Sequence, residues 1–387
     1  MANIAELLSN HPEIIESIAQ ARGKGKVLNY EVQGKTADGE FSAGHAVDIE
    51  TEDGHLRVFI SQPSGNGFGL TNDISTETQG YMESQRSVVG SMEPLHLFMI
   101  DETGHVFDIS KVTQLLRVAE HLPDGALNVF NDLRATLREK WDDDKVTEHF
   151  GPITQQVVDI LTQLHTQEVP EDIQQKAGAL YSESLWRIHS DRELFSGLVH
   201  SQNFREKSWT NLRQMSQIRS LMEEFEHLTR DRKERLRPLH GDAWWRNTYR
   251  TPNGKVVMID QSRSAYGEPA IDVVMAVGDA INSSIIRQEN GQGPFTDIAQ
   301  QGIDTYIGKT NDEVVLEMFP LVFAFKTTTL ALLNPVISEQ SRRDLVAAGY
   351  GSLQLAVEAL REGRPFRFSL SDLPTYISVG TTALAEV

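Results

Sequence analysis

The sequence predicts an α+β protein of two lobes, a small antiparallel-sheet lobe followed by a larger, mostly helical one. Three observations carry this. Short runs with strand character, joined by glycine turns, fall in the first third of the chain. After Lys111 nearly every segment places apolar residues at helical spacing. One isolated hairpin, around Pro252-Asn253-Gly254, interrupts that helical part. The expected division is residues 1–110 and 111–387.

Taken in order, Asn10 and Glu13 around Pro12 form an N-cap pattern, which predicts a helix over residues 12–22. Strand character follows over 27–33, 46–50 and 56–61, and Glu52-Asp53-Gly54 joins the last two as a hairpin. Residues 74–89 read as a helix. A second hairpin, 95–100 with 105–109, turns at Thr103-Gly104. Helical spacing then runs over 115–122, 127–141, 153–164, 172–188 and 203–236. The isolated hairpin pairs 247–250 with 256–259, after which helices resume to about residue 361. The apolar stretch 319–337 is broken by Lys326, Asn334 and three consecutive threonines, so it reads as a buried helix rather than a membrane span.

Composition narrows the chemistry. The 387 residues include no cysteine, which excludes a disulfide framework, thiolate metal sites and a catalytic cysteine. Acidic residues outnumber basic ones 55 to 36, for a formal charge of −19. Such a surface repels phosphate backbones and anionic lipid, so neither nucleic acid nor a membrane is an expected partner. The N-terminus has no basic stretch followed by an apolar run, so a cytoplasmic location is expected. Gly34-Lys35-Thr36 is not a phosphate-binding P-loop, because Asn29 stands where the leading glycine belongs. Sequence leaves the oligomeric state open.

The chemistry concentrates around the isolated hairpin. Its approach reads Leu239-His240-Gly241-Asp242-Ala243-Trp244-Trp245-Arg246-Asn247, and its exit Val257-Met258-Ile259-Asp260. A tight hairpin brings its outer ends together, so Asp242 and Asn247 on one side can face Asp260 on the other. Two carboxylates and an amide oxygen are hard ligands that suit Mg²⁺ on a polyphosphate. A carboxylate left over can accept the proton of an attacking hydroxyl.

These residues resemble the aminoglycoside phosphotransferase and choline kinase family. His240 to Asn247 matches its H-G-D-x-x-x-x-N loop. Asp260, Gly267, Pro269 and Asp272 fall at the offsets of its I-D-x6-G-x-P-x-x-D block, and Leu164-His165 looks like its Leu-His helix end. The resemblance implies a protein-kinase-like fold with ATP between the lobes, held near Phe107 and Ile109. It implies Asp242 as catalytic base, Asn247 and Asp260 as Mg²⁺ ligands, and His240 and Asp272 as structural supports of the loop. Trp244 and Trp245 would border the pocket of a small hydroxylated substrate, such as an amino alcohol, a sugar or an aminoglycoside.

The small lobe departs from this pattern. The strand expected to carry a phosphate-gripping lysine reads His55-Leu56-Arg57-Val58-Phe59-Ile60-Ser61, so Arg57 would have to substitute. Glu77 is the helix glutamate placed to pair with it. The missing lysine leaves an alternative open, a catalytically weak kinase-like protein that binds or regulates. A protein kinase is a poorer fit, because Gly267-Glu268-Pro269 leads straight into residues 271–277 and leaves little room for a peptide-docking loop.

Overall fold

The computed structural model describes residues 4–38, 42–63, 94–101, 112–120, 122–190, 195, 199, 212–261, 265–289, 291–333 and 337–385. The chain divides into two compact units, Met1–Asp124 and Gly125–Val387.

In the first unit, helices α1 (Ile4–Asn10) and α2 (Pro12–Ala21) precede five strands. These are β1 (Val27–Asp38), β2 (Ser42–Thr51), β3 (Gly54–Pro63), β4 (Pro94–Asp101) and β5 (Val112–Glu120). They form one antiparallel sheet in the order β1-β2-β3-β5-β4. Side chains alternate across a strand, so Val47 and Ile49 share a face with Val58 and Ile60 on the neighbouring strand. Ile4, Leu7, Leu8, Ile14, Ile15 and Ile18 of the two helices bury that face. Each such aliphatic contributes about 1.5–3 kcal/mol by leaving water. Asp48 and Arg57, paired across β2 and β3, occupy the opposite face. The helix at Pro12 starts where expected, but His11 is its cap and Asn10 ends the preceding helix.

The helix expected over 115–122 is instead strand β5, hydrogen-bonded to both β3 and β4. Leu115, Leu116 and Val118 fit either period over so short a run, and two open strand edges decide the outcome. With β5 in the sheet, the unit boundary falls at Asp124–Gly125 rather than after residue 110. The segments expected as a helix over 74–89 and a strand over 105–109 lie outside the described residues.

The second unit is mainly helical. Helix α3 (Val129–Glu139) starts at Asn128, whose side chain accepts from the amides of Phe130 and Asn131. Helix α4 (Asp143–His165) starts earlier than expected and carries Pro152 internally. Asp142 caps it, with Asp143 and Asp144 in the first turn where the helix dipole favours negative charge. A turn at Glu171–Gln174, α5 (Ala177–Ser190) and α6 (Leu212–Thr229) follow. Short strands come next. β6 (Leu127–Asn128) pairs with β8 (Thr248–Arg250), β8 with β9 (Val256–Met258), and β7 (Arg237–Pro238) with β10 (Tyr266–Gly267). The chain finishes with α7 (Ala270–Ile286), α8 (Pro294–Thr310), α9 (Val315–Leu333), α10 (Glu339–Arg361) and α11 (Leu373–Ala385).

Helix α7 is the axis of this unit. It is buried along nearly its whole length, against α4, α8 and α9. A helix covered on all sides should be apolar all round, so its buried Asp272, Asp279 and Asn282 need a reason. Helix α9 is long and apolar enough to cross a membrane, yet 83% of that stretch is buried inside the unit. It is a core helix, as its composition suggested.

Candidate active site

The loop over residues 239–247 is built from backbone constraints first. Strand β7 delivers the chain to Leu239, whose amide donates to Ala265 O at 2.8 Å. Gly241 then adopts φ +80°, a conformation L-residues rarely take, and this turns the chain at the tip. A short 3₁₀ turn at Trp245–Asn247 leads into β8. The Ile259 amide closes the hairpin by donating to Asn247 O at 2.8 Å. That bond puts Asp260, exposed and at φ +59°, beside the Asn247 end of the loop.

The structure brings Asp242 and Asn247 together. The Asn247 side-chain amide donates to Asp242 Oδ2 at 2.8 Å and to Asp242 O at 3.0 Å. Asp242 is 7% exposed, so its carboxylate is mostly shielded from water. Spending the Asn247 nitrogen on Asp242 leaves Oδ1 as the atom able to meet a cation.

Asp272 braces the loop from below. Its carboxylate accepts from the amides of His240 at 2.7 Å and Gly241 at 2.8 Å. His165, at the end of α4, contacts it at 3.1 Å through Nε2, and Tyr306 OH holds the other ring nitrogen at 2.9 Å. His240 is fully buried, which pushes its pKa down against the pull of Asp272, Asp242 and Asp260. It stands as a neutral imidazole whose Nδ1 accepts from the Asp242 amide at 3.3 Å. Both side chains thus bond to the backbone of the loop, Asp272 at His240 and Gly241 and His240 at Asp242.

A second brace was not anticipated from sequence. Asp279, also on α7, accepts from the Trp245 amide at 3.0 Å and pairs with Lys326 of α9 at 2.8 Å. The Lys326 ammonium also lies 3.7 Å from the centre of the Trp244 ring. Asn128 ties α3 to the loop by donating to Arg246 O at 2.7 Å. Glu268 anchors the start of α7, accepting from Arg235 Nε at 2.7 Å, Tyr181 OH at 2.8 Å and the Ala270 amide at 3.0 Å. The sequence signals for these were faint. They were a charged residue inside an apolar run, an aspartate seven positions after Asp272, and an asparagine ahead of a helix.

The remaining expected residues are placed as follows. Trp245 is fully buried and stacked on Phe150, with ring centres 5.0 Å apart, so it is core rather than pocket wall. Trp244 is half-buried against Lys326 and Phe325. Arg57 belongs to the first unit and is held by Asp48 at 3.2 Å and Asp124 at 2.7 Å. Glu77, Phe107 and Ile109 lie outside the described residues. Among the described residues, no three His, Asp or Glu side chains gather as a metal cluster. A magnesium site here would have to draw on Asn247 and Asp260 together with the ligand's own phosphates, the usual way this ion is held.

No family model and no curated relative matches the sequence. Among solved structures, similarity is found to choline kinase LicA from Streptococcus pneumoniae, at 12% identity, TM-score 0.38, and 96% of this chain against 98% of that one. An ethanolamine kinase from Plasmodium vivax is 13% identical, TM-score 0.45, covering 92% and 81%. A spectinomycin phosphotransferase in complex with ADP and spectinomycin is 13% identical, TM-score 0.37, covering 95% and 98%. At this identity and overlap, the chemistry rests on the chain's own residues.

Proposed function

We propose that the chain is a phosphotransferase of the aminoglycoside phosphotransferase and choline kinase type, moving the γ-phosphoryl group of ATP to a hydroxyl of a small metabolite. The observation that carries this is the Asp242–Asn247 contact, 2.8 Å, on a loop whose His240 and Gly241 amides are both fixed by one buried carboxylate. A proton acceptor and an oxygen ligand are thereby held in a fixed relation before any substrate arrives, which is what phosphoryl transfer asks of a protein.

In the reaction, Asp242 orients the acceptor hydroxyl and takes its proton as the oxygen attacks phosphorus. The bond between the γ-phosphorus and the bridging oxygen breaks, and ADP leaves. Asn247 and Asp260 would hold Mg²⁺. When bound, that ion neutralises charge on the phosphate oxygens. The brace from Asp272 keeps the loop from yielding as charge shifts. The −19 formal charge of the chain favours a neutral or cationic acceptor over an anionic one.

The test is ATP consumption over a panel of hydroxylated metabolites, with wild type and Asp242→Asn side by side. At the usual scale for a general base, the substitution should lower turnover by about 10²-fold or more. The KM for ATP should stay within about twofold, as for loss of a group acting only in the transition state. A wild type that binds no Mg·ATP at millimolar concentration, or an Asp242→Asn variant that keeps full turnover, overturns the assignment. The first outcome would leave a kinase-like binding protein.

A further inference from the structure

We propose that Lys326 is a positioning residue, holding the turn at Trp244–Asn247, and with it Asp242, by way of Asp279 and the Trp244 ring. Its consequence for turnover rests on the phosphotransfer reading. Its consequence for the loop does not.

Three observations converge on this side chain. Lys326 is fully buried, and its ammonium meets Asp279 Oδ1 at 2.8 Å. The other oxygen of that carboxylate accepts the Trp245 amide at 3.0 Å, so a single carboxylate group links the cation to the backbone of the loop. The same ammonium stacks over Trp244 at 3.7 Å, so it contacts Trp244 directly and Trp245 by way of Asp279. The lysine stem is directed rather than merely accommodated. A Cβ on Gly278 would come within 3.0 Å of Lys326 Cγ and 3.2 Å of its Cε, so the stem lies where a side chain of α7 would otherwise be. A side chain at that position would press on the stem and push it from this route.

Stability alone does not account for the pair. A buried ion pair gains little or nothing over an apolar pair of the same volume, because both charges must be stripped of water. Burial pushes the Lys326 pKa down, and the Asp279 and Asp242 carboxylates pull it back. Every other buried contact along this stretch of α9 is made by apolar residues or threonine. What the ion pair supplies and a leucine could not is an aimed carboxylate for the Trp245 amide and a cation for one face of Trp244. Lys326 acts through Asp279 and the Trp244 ring, neither of which exchanges atoms in the proposed reaction, so its role is to position and not to react.

The experiment compares wild type, Lys326→Met and the double variant Lys326→Met/Asp279→Leu. Three quantities are read: melting temperature, amide hydrogen exchange over residues 240–247, and turnover with its KM for ATP. Lys326→Met strands a buried carboxylate and should melt lower. The double variant removes both charges and should regain most of the wild-type melting temperature. In both, exchange at the Trp245 amide should quicken by about tenfold or more, as local opening becomes easier. Turnover should stay at least about tenfold down, with the ATP KM within about twofold, because misplacement affects the chemical step more than binding. Loop exchange at the wild-type rate in either folded variant overturns the assignment. So does a double variant in which melting and exchange recover together, or one that fails to fold, since the pair would then serve the fold alone. If wild type shows no turnover on any acceptor, the function falls, and the exchange rates still decide the role of Lys326.

Discussion

Replacing Asp272 with Asn isolates the brace under the loop. The carboxylate is fully buried and meets three groups, the His240 and Gly241 amides at 2.7 and 2.8 Å and His165 Nε2 at 3.1 Å. Asn keeps the shape but turns one oxygen into a donor. Whichever way the new amide is rotated, at least one of these groups then faces an N–H instead of an acceptor. A buried N–H left unpaired costs about 1–3 kcal/mol. The backbone bond that survives drops from charge-assisted to neutral, roughly halving its strength, a further loss of about 1 kcal/mol. The expected loss is about 2–4 kcal/mol of stability, and at about 2–4 °C per kcal/mol for a unit of this size the melting temperature should fall by about 8 °C. Thermal unfolding followed by circular dichroism measures it. ATP consumption, measured in parallel, should fall as well, because the loop carrying Asp242 is no longer held. Asp242→Asn is the control: it should lose turnover with less than half the shift in melting temperature. An Asp272→Asn variant that melts within about 1 °C of wild type would refute the brace, because no buried, doubly bonded carboxylate is that cheap to neutralise.

Two further outcomes are expected. Arg57 is about one-third exposed and held by Asp48 and Asp124, so Arg57→Ala should cost about 1 kcal/mol or less, the scale of solvent-screened pairs. Its Mg·ATP affinity, read by calorimetry, should stay within about threefold; a tenfold loss, about 1.4 kcal/mol, would mean the guanidinium leaves its carboxylates for phosphate. Burial holds the His189 pKa down at about 4 against an ordinary 6.5, so the folded state keeps it neutral where the unfolded chain takes up a proton. The stability tied to that neutral ring is complete above about pH 6.5 and is lost as pH falls toward 4, up to roughly 3 kcal/mol. In urea unfolding, the gap between wild type and His189→Gln should narrow by roughly 2–3 kcal/mol from pH 7.5 to pH 4.5; a constant gap would remove His189 from the acid response.

Asp272 was flagged only through the resemblance to a family motif, since its bonds to the loop span 31 and 32 positions. Asp242 and Asn247, in contrast, were legible because their geometry is local. A glycine turn followed by a hairpin fixes the spacing along the chain, and spacing is what a sequence displays. Asp279 and Lys326 were not legible, since they meet across two helices far apart in the chain, and such a pairing leaves no periodic trace. Trp244 and Trp245 look alike in the sequence, yet one stacks on Phe150 in the core and the other on an ammonium. Only the direction of the 3₁₀ turn separates them. The strand at Val112–Glu120 was misjudged for a different reason: over a run that short, the two periods differ by one or two residues, and the partner strands were the deciding term.

The two aspartates of α7 share a logic that neither shows alone. Asp272 and Asp279 are seven residues apart, two helical turns to within about 20°, so both carboxylates leave the helix on the same side. The rise between them is about 10 Å. The loop is gripped at two points, by Asp272 at His240 and Gly241 and by Asp279 at Trp245, on either side of Asp242. One rigid, fully covered helix therefore sets the distance between the two grips, and Asp242 hangs between fixed points. Each carboxylate also has its own buried partner, His165 for Asp272 and Lys326 for Asp279, because a polar group so deep must be hydrogen-bonded or paired. A one-residue insertion between the two aspartates would swing one of them away by about 100° and release one end of the loop while leaving the helix intact. Helix register in the core and placement of the candidate base are thus the same physical constraint.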